Sequence, residues 1–342
     1  MNTFGRLFRV NIFGESHGES VGVNIDGCPA GIALPLEDFL PDLERRKGGM
    51  QKGTTPRKED DLPIFKSGLF NHISTGSPIT MLFENNNTRS ADYEKQRAVP
   101  RPGHADFVAH EKFGGFEDYR GGGPFSARLT VGLVAAGVIA KKLLGGVGGG
   151  STGGAHVSSC ILEIGGEKDL EKGLQKAIDG KDSIGGIIEC RVSGLPVGLG
   201  EPFWDSVESL IAHVIFAVPA VRGIEFGTGF SAARMFGSEH NDAIDDMQGH
   251  TRTNHAGGVV GGITNGNELV FRLAIKPTSS TPKEQQTLNW ETGQQERFSV
   301  KGRHDLCVAL RAPVIVEAVT AIVLADLFLL EQRVPRVSRA GV

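Results

Sequence analysis

The sequence predicts an α+β fold, on three observations. Strand-like and helix-like segments alternate irregularly along 342 residues, without the steady alternation of a doubly wound sheet. Neither a G-x-x-x-x-G-K-[ST] loop nor a strand-turn-helix G-x-G-x-x-G appears, which removes the usual mononucleotide and dinucleotide folds. With 39% hydrophobic and 22% charged residues, the chain suits a globular protein with one large or two medium cores.

The elements follow in order. Leu7 to Phe13 is an apolar stretch that ends at the glycine-flanked turn GESHG (14–18), and Val21 to Ile25 alternates as a strand. Leu36 to Arg46 has helical spacing, and Ile79 to Glu84 reads as another strand. Ser126 to Leu144 predicts a helix with a Ser at its start and two lysines at its end, as capping and the macrodipole favour. The tract GGVGGGSTGG (145–154) carries no charge and reads as a flexible link between two halves of similar element content. Beyond it, Val157 to Ile164, Gly186 to Val192 and Glu268 to Ile275 read as strands, and Pro202 to Phe216 as a helix opened by a proline. Ala312 to Leu330 is the most apolar long segment. Its Glu317 and Asp326 would be costly in lipid, so it reads as a core helix turning both to a polar side.

Charge and cysteine content narrow the function classes. A net charge of -4 gives no global attraction to nucleic acid or an anionic membrane, and two Trp and two Tyr leave few rings for base stacking. Any anion must therefore meet a local basic cluster. Cys28, Cys160, Cys190 and Cys307 lie far apart with no C-x-x-C spacing, which predicts a reduced, cytoplasmic protein. The first residues lack a basic leader, an apolar core and a cleavage site, so no secretory signal is expected.

Five polar loops carry the chemistry. Arg45 to Lys58 interleaves basic residues with Gly, Thr and Pro, which suits a loop folding over phosphate or carboxylate oxygens. In PRPGHAD (100–106), Asp106 could orient His104 and favour its protonated form; a metal held by His104, Asp106 and His110 is the competing reading. YRGGGPFSARLT (119–130) leads a triple glycine into a helix start with Ser126 and Arg128, a good anion site. RTNHAGGVVGGITNG (252–266) and KPTSS (276–280) add hydroxyls, a lysine and a rigid proline. KGRHDLC (301–307) brings Arg303, His304 and Asp305 together before the last helix. Such loops together describe a site for a ligand with several negative charges.

In this order the motifs resemble chorismate synthase over nearly the whole chain. FGESHG (13–18), DGCPAGI (26–32), RRKGG with TTPRKE (45–59), RPGHAD (101–106), YRGGG with SAR (119–128), RTNHAGGVVGGITNG, KPTSS and KGRHD carry the resemblance. It implies a β-α-β sandwich with a helical layer between antiparallel sheets, a single domain over 1–342, and a homotetramer. It also implies trans elimination of phosphate from 5-enolpyruvylshikimate 3-phosphate to give chorismate, the last common step towards the aromatic amino acids, with reduced FMN required. Arg46, Lys52, Arg101, Arg128 and Arg303 match the family's basic residues and would hold the substrate's anions. His17 would protonate the departing phosphate, His104 the reduced flavin, and Asp305 would help remove the flavin N5 proton, with Ser16 and Ser126 as relay hydroxyls. Flavin contacts carried over are Ser126, Gly261, Lys276, Pro277, Thr278, Ser279, Ser280 and Arg303, with Pro219 and Ala220. No metal is implied.

The chain departs from the commonest family pattern at a few positions. Pro124-Phe125 stands where Arg-Ser is usual, Lys52 where Arg is usual, and Leu306 where Pro is usual, which predicts altered FMN or substrate affinity rather than lost activity. Some relatives reduce their own flavin with NAD(P)H, and no added motif here announces that activity. The alternative from another class is a non-catalytic binder of flavin or a phosphorylated metabolite. Such a binder needs the arginines but has no use for His17, His104 and Asp305 together.

Overall fold

The computed structural model describes residues 2–49, 52–55, 59–86, 97–146, 154–300 and 304–332. Two antiparallel sheets enclose a pair of buried helices. In the first sheet the strands lie in the order Thr3–Phe4, Arg9–Gly14, Ser20–Asp26, Ile79–Glu84, Ile64–Ser67. The second has the order Val221–Phe226, Leu269–Ile275, Gly186–Ser193, His156–Ile164. All strands of the first precede the glycine-rich tract and all strands of the second follow it. Of that tract, residues 147–153 lie outside the described residues.

The expected strands at 21–25, 79–84, 157–164, 186–192 and 268–275 all form, with ends shifted by at most one residue. Their inward residues explain why. Val21, Val23 and Ile25 alternate into the core, and Ile79, Met81 and Phe83 pair beside them on the same face. Three expected helices are shorter than their patterns. Leu36–Asp38 and Phe203–Asp205 are single 3-10 turns before the helices Leu40–Arg46 and Val207–Ile215. Ser126 caps a 3-10 turn, Ala127–Leu129, by accepting from the Arg128 amide, and the regular helix is Thr130–Leu144.

Helices Thr130–Leu144 and Ala312–Leu330 form the middle layer and are buried on nearly every side. Gly137 makes their close approach possible, since a Cβ there would lie 2.3 Å from the Ala318 Cβ. Helix Ala312–Leu330 is long and apolar enough to cross a membrane, but in this fold it is interior. Its two acids are not on a polar side, contrary to expectation. Glu317 and Asp326 are both buried, because each has a polar task inside the layer. Glu317 accepts from Arg45 Nη2 (2.7 Å), Lys141 Nζ (2.8 Å) and the Ser159 hydroxyl (3.0 Å). Asp326 collects the amides of Arg6, Leu7 and Phe8 at 2.7–3.1 Å, so the last helix holds the entry to the first sheet.

Burial opposes ionisation of Glu317, but Arg45 and Lys141 overcome it and hold the carboxyl below its ordinary value of 4.5. Stability from this ionised cluster is complete above pH 4.5 and is lost as pH falls through the lower folded value. Glu317→Gln should therefore lower the urea midpoint at pH 7 and flatten its acid dependence below pH 4.5. An unchanged acid limb would show that the cluster does not set it.

Candidate active site

A cavity of about 550 Å3 takes its walls from both halves of the chain. The residues bounding it come from the GESHG turn, the loops at 46–61, 101–105 and 121–128, the segment 216–222, the KPTSS turn and residues 304–311.

The opening turn is placed by the first sheet. Strand Arg9–Gly14 pairs with Ser20–Asp26 up to Gly14↔Val21, so residues 15–19 must reverse the chain at the sheet end. Asn85 pins that reversal by donating to the Glu15 and Gly18 carbonyls (3.0 and 2.9 Å). His17 and Ser16 are both buried, and both lie against Gly121. A Cβ at Gly121 would stand 2.4 Å from His17 Cδ2 and 3.1 Å from Ser16 Oγ; one at Gly122 would stand 3.2 Å from His104 Cε1 and 3.3 Å from its Nε2. Both glycines have positive φ. The triple glycine thus brings two imidazoles onto one wall, which no side-chain-bearing residue could do there.

His104 is set by its own turn. Asp106 accepts from Arg101 N, Nε and Nη2 (3.0, 2.7 and 2.7 Å) and lies 2.5 Å from His104 Nδ1. Burial opposes the Asp106 charge, but the hydrogen bonds from Arg101 and His104 hold the carboxyl well below the usual range. An ionised Asp106 can only accept, so Nδ1 carries a proton, and the Cε1–Nε2 edge of the ring lies against Gly122. Arg101 also reaches the Ser280 hydroxyl (3.2 Å). The KPTSS turn closes the same knot: Lys276 Nζ donates to the Gly103 carbonyl (3.0 Å) and Ser279 Oγ (2.8 Å), and Ser279 donates to Gly103 (2.7 Å).

Asp61, which the sequence did not single out, organises the second wall. With 1% of its side chain exposed, it accepts from Arg46 Nη2 (3.0 Å) and Arg128 Nη1. Arg128 completes its contacts with Asn85 Oδ1 (2.8 Å) and the Glu84 carbonyl (3.0 Å). Burial lowers Arg46 to about 10; Asp61 resists this, while the Arg128 and Arg311 charges add to it. Arg311 was likewise missed. It donates to Asp305 Oδ2 (2.6 Å) and the Arg46 carbonyl (3.2 Å), and Asp305 also accepts from the Thr55 amide (2.8 Å). Beside Asp305, His304 is lowered to about 4 by burial and the Arg101 charge, so it is neutral at pH 7.

The expected residues divide accordingly. His17, His104, Asp305, Ser126, Arg46, Arg101 and Arg128 bound the cavity together with Pro219, Ala220, Lys276, Thr278, Ser279 and Ser280. Pro124 and Phe125 also face it. Ser16 is buried against Gly121 and does not bound the cavity. Lys52 is turned to Gln175 Oε1 (3.2 Å), Gly261 sits in the ribbon of Val259–Val260 and Ile263–Thr264, and neither of them nor Pro277 bounds the cavity. Arg303 lies outside the described residues, as do Pro56, Arg57 and Lys58 of the basic loop.

Asp61→Asn leaves two buried guanidinium groups without their shared counter-charge and is expected to cost about 3 kcal/mol or more. Urea unfolding beside Asp60→Asn, an exposed neighbour, provides the check. Equal midpoints for the two variants would refute a structural dependence on Asp61.

Comparison with known proteins identifies the family. The family model for chorismate synthase matches residues 8–329. A chorismate synthase from Chitinophaga pinensis is 71% identical over 337 residues, covering 98% of this chain and 99% of that protein. Another, from Dehalococcoides mccartyi, is 44% identical, with 98% and 99% covered. A crystal structure of a chorismate synthase matches with a TM-score of 0.72 and 26% identity, over 96% of this chain and 93% of the other. The sandwich expected from the motifs is thereby borne out, and the chain belongs to the chorismate synthase family.

Proposed function

We propose that the cavity is the active site in which 5-enolpyruvylshikimate 3-phosphate loses phosphate to give chorismate, and that His17, His104 and Asp305 handle its protons. The family is the phosphate-eliminating lyase of the shikimate pathway and uses reduced FMN. The observation that carries the assignment is the pair of imidazoles, His17 and His104, packed on adjacent glycines in a single cation-bearing cavity.

The cavity suits the cofactor in size and chemistry. Its volume lies in the range of small-molecule sites. Phe125, Val218 and Pro219 supply apolar wall for a ring system, and Lys276 and the KPTSS hydroxyls supply donors. Arg46 Nε and Arg311 Nε are buried there with no hydrogen-bond partner among the described residues. Ser126, Pro219, Ala220, Lys276, Thr278, Ser279 and Ser280 are read as the residues that hold FMN. Arg303 belongs to that reading by its motif alone. When bound, reduced FMN supplies the electron that loosens the C–O bond of the leaving phosphate.

The chain's own groups do the rest. Arg46, Arg101 and Arg128, fixed by Asp61 and Asp106, present positive charge to the substrate's anionic groups and orient its ring. His17, held at Gly121, donates a proton to the departing phosphate oxygen. His104 keeps Nδ1–H on Asp106 and carries its exchangeable proton at Nε2. Asp305 is the carboxylate that accepts a proton, and Ser16 and Ser126 relay between these groups. The two halves, joined near 145–154, are read as a single functional domain, because each contributes walls to the one cavity. Homotetramer assembly is a further part of the proposal, supported by the exposed apolar side chains of Trp204, Phe230, Phe236 and Met247.

Purified protein should release phosphate and form chorismate in equal amounts from 5-enolpyruvylshikimate 3-phosphate under anaerobic conditions with chemically reduced FMN. His17→Ala, His104→Ala and Gly121→Ala should each lower turnover by about 10²- to 10⁴-fold with the fold retained. Full turnover by His104→Ala would remove His104 from the mechanism, and absence of product from the unaltered protein would end the assignment.

A further inference from the structure

His104 also borders a second, smaller cavity of about 30 Å3, enough for one water molecule. Gly122 bounds this small cavity and not the large one, and the Cε1–Nε2 edge of His104 lies against Gly122. The ring thus stands between the two spaces. Once substrate and flavin fill the large cavity, they displace its solvent, and the small cavity remains as an approach to the ring.

Among the described residues, three carboxylates bound the small cavity, those of Asp106, Glu117 and Asp118. Two are spent on neighbours. Asp106 takes Arg101 and His104, and Asp118 takes Arg120 Nε and Nη2 (both 2.8 Å), whose hydrogen bonds hold its carboxyl below the ordinary 3.8. Of the cations at this wall, Arg101 is thereby engaged, and Arg97 lies over the Tyr119 ring, 5.5 Å from its centroid. Glu117 differs. Its Oε2 is buried with no hydrogen-bond partner among the described residues, a costly state for a carboxylate oxygen unless a water meets it.

The other oxygen of Glu117, Oε1, lies 3.2 Å from His110 Nδ1. Only 12% of the Glu117 side chain is exposed against 37% of His110, so the pair leads from the cavity to solvent. His110, on helix Asp106–Phe113, is clamped there. Its ring stacks on Trp290, with centroids 4.7 Å apart and planes 16° from parallel, and the Trp290 amide donates to the Ala98 carbonyl (3.0 Å). Gly115 closes in as well, since a Cβ there would stand 3.1 Å from His110 Cε1. Such a clamp keeps Nδ1 on Glu117 at the expense of ring freedom that a merely solvated histidine would retain.

We propose that His110, Glu117 and one water in the small cavity form a proton relay that reloads His104 from solvent while the large cavity is occupied. His110 takes a proton from solvent and passes one from Nδ1 to Glu117 Oε1. Oε2 releases one to the water, and the water gives one to His104 Nε2. One proton enters, and no electrons move. Glu117 and His110 act through His104 and touch neither substrate nor cofactor. The inference rests on the reading given above, in which His104 gives up a proton to the reduced flavin.

The test is anaerobic turnover with chemically reduced FMN in dilute buffer, for unaltered protein, Glu117→Gln, His110→Gln, His104→Ala and the double variant of Glu117→Gln with His104→Ala. Melting temperatures establish that the variants fold. Glutamine keeps the shape of Glu117 but exchanges no proton at neutral pH, so Glu117→Gln should lower kcat about 10- to 100-fold with KM unchanged. Added imidazole, a small proton donor, should restore kcat in proportion to its concentration. His110→Gln should show a smaller loss, restored in the same way. Beside His104→Ala, the Glu117 change should cost nothing more, because the relay has only His104 to serve. Full kcat in Glu117→Gln, or a loss that imidazole leaves in place, would overturn the relay, the second outcome in favour of a structural role. A slow His104→Ala beside a fully active Glu117→Gln would bring down the relay alone, whereas full turnover by His104→Ala would bring down the reading of His104 and the relay with it.

Discussion

The buried carboxylate of Asp61 is the constraint on which the cavity depends. Two guanidinium groups, from Arg46 and Arg128, sit in a wall that excludes water, and charges so placed repel each other and resist desolvation. One carboxylate between them offsets both penalties and fixes both planes. Asp106 does the same for Arg101, and Asp305 for Arg311. Internal pairing makes these arginines parts of the wall with preset directions, so little reorganisation is needed when an anion arrives.

Close packing of glycine against imidazole supplies the second constraint. Gly121 and Gly122 belong to a loop between helices, whereas His17 comes from the first sheet and His104 from a separate turn. Distances between the two proton carriers are therefore set by three segments distant in sequence. The Lys276–Gly103–Ser279 knot ties the second sheet into the same arrangement. A site assembled in this way is only as rigid as the sandwich beneath it.

Much of this was legible in the sequence, for local reasons. Alternation marked Val21 to Ile25, and GESHG, PRPGHAD, YRGGG and KPTSS could be read as site loops because their residue types are costly unless used. The missed residues have partners far along the chain. Glu59, Asp60 and Asp61 look alike in sequence; only the left-handed turn at Asp61 and the positions of Arg46 and Arg128 choose which one is buried between the two guanidinium groups. Arg311 reads as an ordinary arginine before a helix. Glu317 and Asp326 were expected on a polar face because amphipathic spacing is visible locally, whereas Lys141 and the amides of Arg6 to Phe8 are not. Lys52 and Gly261 were placed by motif, and a motif does not say where a single chain turns its side chains.

Asp326 has a consequence for synthesis. A ribosome delivers the first sheet long before the helix that caps its entry, since the amides of Arg6, Leu7 and Phe8 wait some 320 residues for their acceptor. Until helix Ala312–Leu330 emerges, the apolar flank of helix Thr130–Leu144 has no partner, and the nascent chain carries an open half-sandwich. Docking of that helix completes the middle layer against helix Thr130–Leu144 and the second sheet. A chain stalled before that event would present chaperones with the surface that the finished protein hides most completely.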